Sequence, residues 1–108
     1  MAFTRACALS DVASDTALAV AVDGVDVAIV RAGDEVFAIT DECSHAAIPL
    51  SEGDVEGCEI ECWLHGSRLD LRTGKPSGPP ATEPVPTFPV RVEGDDVLVD
   101  VANPRNND

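Results

Sequence analysis

The sequence predicts an all-β fold of short antiparallel strands, a sandwich or small barrel. Three observations carry this. Valine and alanine dominate the apolar residues, while aromatics make up only 4% and tyrosine is missing; valine-rich runs favour the pleated, half-buried surface of a strand. Gly/Asp pairs punctuate those runs. No segment keeps a 3.6-residue apolar period over ten or more residues, so no helix of ordinary length is expected.

Taken in order, "AFTRACAL" (2–9) alternates weakly and reads as an edge strand. Val20 and Val22, the pair Asp23-Gly24, then Val25, Val27 and Ile29 form a strong hairpin signal. A second turn at Gly33-Asp34 precedes Val36 to Ile39, giving a three-stranded meander. The pattern breaks after Thr40 and resumes in "CEIEC" (58–62), where alternation puts Cys58, Ile60 and Cys62 on one face and Glu59 and Glu61 on the other. "RLDLRTGKPSG" (68–78) is a short strand and a Gly/Pro turn, and "PPATEPVP" (79–86) is too proline-rich for a central strand. "FPVRVEGDDVLVDV" (88–101) gives two alternating strands around Glu93-Gly94-Asp95, before a polar tail, 102–108, expected to fray. Eight or nine strands result, in one domain spanning 1–108.

Seven basic against twenty acidic residues give a formal net charge of −13. That balance argues against nucleic acid and anionic membrane surfaces, and favours a partner with a basic docking patch. No stretch approaches the ~20 apolar residues of a membrane span, and the acid-interrupted start does not read as a secretory signal. The expectation is a soluble cytoplasmic monomer. In a reducing compartment four cysteines suggest a metal site before disulfides.

Both histidines sit a residue or two after a cysteine, as Cys43-x-His45 and Cys62-x-x-His65, with 16 residues between the pairs. Two readings compete. A Cys2His2 set suits structural zinc, but zinc motifs usually pair like residues within each half. In a Rieske 2Fe-2S centre one iron takes two Cys and the other two His, so each loop must contribute one of each.

With these pairs, the "HGS-R-LDLRTG" continuation and the "FPVRVEGDDVLVDV" ending, the sequence resembles the Rieske-type ferredoxins of bacterial aromatic-ring dioxygenase systems. The resemblance implies a Rieske-like fold whose cluster-binding part, about 41–80, presents two loops. Cys43 and Cys62 would ligate the inner iron of one 2Fe-2S cluster, and His45 and His65 the outer, solvent-near iron. It further implies an electron-transfer component, not itself an enzyme, that takes one electron from an NAD(P)H-dependent flavoprotein reductase and passes it to a terminal oxygenase. Ferredoxins of iron-sulfur cluster assembly resemble the chain as well. The small subunit of nitrite reductase shares the Rieske-like fold but often lacks the ligands, so the retention of all four argues against it. A zinc-stabilised interaction module is the alternative of another class.

Within the resemblance, Ile48 and Leu64 occupy the positions of the cysteines that clamp the loops of respiratory relatives. With both histidines spent on the cluster, none remains for the mononuclear iron of an oxygenase. Ser67, after Gly66, is either a hydrogen-bond donor to a cluster sulfur or the cap of a turn. Leu69 stands where high-potential relatives carry a tyrosine, so the potential is expected in the low part of the Rieske span of roughly −150 to +300 mV. Trp63 either docks a partner or shields the cluster, and Pro79 belongs to a proline loop covering its third side. The carboxylates Asp41, Glu42, Glu52, Glu59 and Glu61 could face a basic partner, although a solvated face explains them equally. Cys7 and Cys58 are expected as core residues.

Overall fold

Val27, Ala28, Ile29 and Val30 are four consecutive residues with no solvent exposure. A strand buried on both faces needs a layer on each side, and the computed structural model of the chain has that arrangement. It describes residues 3–33, 35–41, 49–61, 68–76 and 85–101. Its strands are β1 (Thr4–Ala8), β2 (Thr16–Val22), β3 (Val25–Ala32), β4 (Glu35–Thr40), β5 (Val55–Glu56), β6 (Glu59–Glu61), β7 (Arg68–Asp70), β8 (Thr87–Phe88), β9 (Val90–Glu93) and β10 (Asp96–Val99). The described residues also form two 3-10 turns, Leu9–Asp11 and Leu50–Glu52. Among the described residues, no helix is long and apolar enough to cross a membrane.

The strands form three antiparallel sheets, in the orders β1-β10-β9, β2-β3-β4-β8 and β5-β6-β7. The second lies between the other two. Val27, Ile29, Ala38 and Phe88 from one of its faces pack with Cys7, Val97 and Val99 of the first sheet. Ala28, Val30, Phe37 and Ile39 from the other face pack with Leu50, Ile60, Leu69, Leu71 and Val85. Truncating a fully buried residue such as Ile29 or Ile60 to alanine typically costs about 2–5 kcal/mol, so each core is a substantial share of stability.

Local chemistry sets the turns. Asp23 and Gly24, with φ of 50° and 80°, are the two left-handed residues that a tight I′ hairpin between β2 and β3 requires. The edge position of β1 and the three-stranded meander agree with the sequence. The described residues hold ten strands where eight or nine were expected, because β5 and β8 have two residues each and are too short to show alternation. Phe88 also departs from the expected terminal hairpin. It pairs with Ala38 of β4, and after Pro89, which has no N–H to donate, the chain joins β10 in a different sheet.

Cys7 is buried in the core as expected. Burial pushes its thiol pKa up, Asp11 adds to the rise, and Arg5 opposes it. Cys58 is a correction. It is only partly buried and lies with Gly57 in the two-residue turn joining Glu56 to Glu59, not on the face of β6. Gly57, at φ 60°, reverses the chain there and takes Cys58 out of the alternation.

Candidate metal centre

The expected ligands Cys43, His45, Cys62 and His65 lie outside the described residues, as do Glu42, Ile48, Trp63, Leu64, Gly66, Ser67 and Pro79. The described residues define the roots of the segments that carry them. Residues 42–48 leave β4 through Asp41 and return at Pro49. Residues 62–67 join β6 to β7, and residues 77–84 run between Pro76 and Val85.

The first root is closed by a side chain. Both oxygens of the Asp41 carboxylate accept from Ser51, Oδ1 from the backbone N–H at 2.7 Å and Oδ2 from the hydroxyl at 2.9 Å. Between them in sequence order, Leu50 is fully buried and nails the returning chain into the core beneath. Hydrogen bonds to a charged acceptor contribute about 1.5–3 kcal/mol each, so this brace matches a sizeable apolar anchor.

The second root is closed by sheet register. Ile60 pairs with Leu69 and Glu61 with Arg68, so the six residues 62–67 start and end on one cross-strand pair. Ile60 and Leu69 point into the core, both without exposure. Leu69 thus presents an apolar side chain to the core.

The two roots touch. Gly53 directly follows the 3-10 turn, and a Cβ on it would overlap the carbonyl of Glu61. Glu61 N–H donates to the Asp54 carbonyl at 2.8 Å, which fixes that approach. The third root is tied in from the opposite side of β7, by the bridge of Leu69 with Pro76 and by the Val85 N–H donating to the Gly74 carbonyl at 2.8 Å. All three segments therefore spring from one braced base. Asp41, Ser51, Gly53 and Arg68 are the residues that sequence reading missed or misassigned here, since nothing periodic marks a brace.

Of the acids set out above, Asp41 is a brace and not a free docking charge. Glu59 and Glu61 lie opposite the core face, as alternation predicts, and both sit beside Arg68, at 3.8 and 3.7 Å. Glu52 is exposed.

A mixed set of two thiolates and two imidazoles, one of each per loop, is the donor chemistry of a Rieske centre. The comparisons agree. Residues 2–89 match the family model described as the Rieske [2Fe-2S] domain. The biphenyl dioxygenase ferredoxin subunit of Pseudomonas sp. (strain KKS102) is 45% identical over 101 residues, covering 93% of each chain. Among solved structures, the ferredoxin of carbazole 1,9a-dioxygenase from Nocardioides aromaticivorans IC177 superposes with a TM-score of 0.86 at 40% identity, covering 92% of this chain and 97% of that one. A ferredoxin solved in a complex of reduced oxygenase and oxidized ferredoxin in carbazole 1,9a-dioxygenase gives 0.83 at 37% identity, covering 90% and 91%. The chain belongs to the Rieske [2Fe-2S] domain family, whose cofactor is a Rieske-type 2Fe-2S cluster.

Proposed function

We propose that the chain is a one-electron carrier that accepts an electron from a flavin-dependent reductase and delivers it to a terminal oxygenase. The observation that carries this reading is the full-length likeness to dioxygenase ferredoxins, one of them solved in complex with its oxygenase. When bound, a Rieske 2Fe-2S group supplies a one-electron couple.

Cys43 and Cys62 would hold one iron through thiolate sulfur, and His45 and His65 the other through imidazole nitrogen. The chain's own part is positional. Asp41 with Ser51, and the register pair Glu61 with Arg68, keep the two ligand loops on a common base. Holding the ligands fixed between oxidation states keeps reorganisation small, which is what a carrier needs. No substrate bond is broken here, so the protein is a component of an oxidoreductase system and not itself an enzyme. Its charge of −13 suits a basic docking face on the partners.

Purified protein tests the reading. It is expected to be red-brown, to hold two irons per chain, to bleach with dithionite and to give a Rieske-type EPR signal when reduced. A colourless protein binding one zinc per chain would refute it. Restored turnover of an aromatic-ring oxygenase and its reductase by the added protein tests the partner assignment.

A further inference from the structure

Among the described residues, the edge strands of the three sheets are β1, β9, β2, β8, β5 and β7. All but β2 are guarded. Strand β1 carries Arg5 and a register irregularity between Arg5 and Cys7, and β9 carries Arg91 and Glu93. Strand β7 has Arg68 and Asp70, while β5 and β8 have two residues each. Charge, bulges and shortness are the devices that keep a strand edge from recruiting another chain. The seven residues of β2, Thr16–Val22, contain no charge and no proline.

Register fixes which groups of β2 are free. The I′ hairpin makes Val22 and Val25 a hydrogen-bonded pair, and alternation extends this to Val20 with Val27 and Leu18 with Ile29. The N–H and C=O of Ala17, Ala19 and Ala21 therefore point away from β3, and no described residue bonds them. Ala19 and Ala21 are exposed, and Leu18 and Val20 are only partly buried on the other face of the strand. An exposed carboxylate stands at each end. Asp15 accepts from the Gly33 N–H and Asp23 from the Thr4 hydroxyl, each through one oxygen. A second copy pairing antiparallel through all three alanines would set Asp15 against Asp23 at both ends, and directly opposed like charges destabilise a sheet. A strand with a cation at each end reverses that sign. We propose that the β2 edge is a docking site for an extended segment of a partner protein, added antiparallel as a further strand, with basic residues facing Asp15 and Asp23 and apolar residues opposite Leu18 and Val20. Each alanine would exchange a donor and an acceptor with the added strand. These residues lie outside the candidate metal centre, so the proposal is independent of the ligand assignment.

The probe is the peptide Lys-Val-Thr-Val-Thr-Val-Thr-Val-Lys, titrated to about 5 mM into the full-length holoprotein at about 20 mM sodium chloride while backbone amide NMR signals are followed. Saturable shifts centred on Ala17, Ala19 and Ala21 are expected, with slower amide hydrogen exchange at the same positions. The peptide ending in glutamate instead of lysine should bind about three- to tenfold more weakly. The double variant Asp15→Asn/Asp23→Asn should weaken the lysine peptide similarly, and asparagine keeps the left-handed backbone at both positions. Both differences should shrink at about 1 M salt. Ala19→Pro removes an outward N–H without touching the β3 ladder, and should weaken binding about fivefold or more. No saturable shift, shifts centred on another surface, or equal binding of the glutamate peptide would each overturn the proposal. If Ala19→Pro fails to fold, the asparagine variant decides, and unchanged affinity at low salt refutes the site. Dimers of the protein alone that protect the same amides would overturn it in favour of a second copy.

Discussion

Gly53 and the carbonyl of Glu61 approach so closely that no side chain fits between them. The contact joins the chain that follows segment 42–48 to the chain that leads into segment 62–67. Gly53→Ala must push one of them aside, and Glu61 is held by Asp54 from behind. A loss of about 1–3 kcal/mol in urea unfolding is expected, as for other overpacked sites, together with a lower iron content in the purified protein.

Asp41 receives two hydrogen bonds from Ser51. Replacing it with alanine removes both and leaves the Ser51 donors to find water, at a cost of about 2 kcal/mol or more. Ser51→Ala keeps the backbone bond and should cost about half as much. Thermal denaturation of the two variants would reveal the ordering, and reversal of that ordering would contradict the brace.

The thiol of Cys7 titrates higher in the folded protein than its usual value of 9.0. A group whose folded pKa is raised stabilises the fold fully below the unfolded pKa, and that contribution is lost as pH rises through the folded pKa. Stability should therefore decline above about pH 9, and Cys7→Ala should flatten that decline while lowering stability at neutral pH through lost packing. Denaturant midpoints from pH 7 to 11 would test this. In native protein, iodoacetamide should modify partly exposed Cys58 well before buried Cys7.

Ser67 is the candidate donor to a cluster sulfur. Losing a hydrogen bond worth ~1 kcal/mol in the reduced state lowers a one-electron potential by roughly 40 mV. Ser67→Ala should show that shift in protein-film voltammetry, and an unchanged midpoint would assign the hydroxyl to the turn after Gly66.

The meander was readable because Asp23-Gly24 and the alternation on either side of it are local. Val27 to Val30 do not alternate, because a layer covers each face of β3, and a sequence cannot show which strands return from far along the chain to supply those layers. Strands β5 and β8 were hidden by their length, and Cys58 was misplaced because Gly57 turns the chain two residues before the strand begins. The mixed Cys and His pairs were legible from residue type alone. The braces were not: Asp41 reaches Ser51 across ten positions, and Gly53 meets Glu61 across eight, with no repeating pattern to announce either.

Thr4 hydrogen-bonds Asp23 at the hairpin end where Asp26 accepts from Asp41, whereas Asp95 binds Leu9 and Ser10 at the other end of β1. The Gly94-Asp95 turn thus lies at the end of β1 opposite to the one near Asp41, on the outer sheet that packs against β2-β3-β4-β8. A thiol or peptide linker grafted there would fasten the protein to an electrode or a fused reductase while leaving the end that carries Asp41 and Ser51 free.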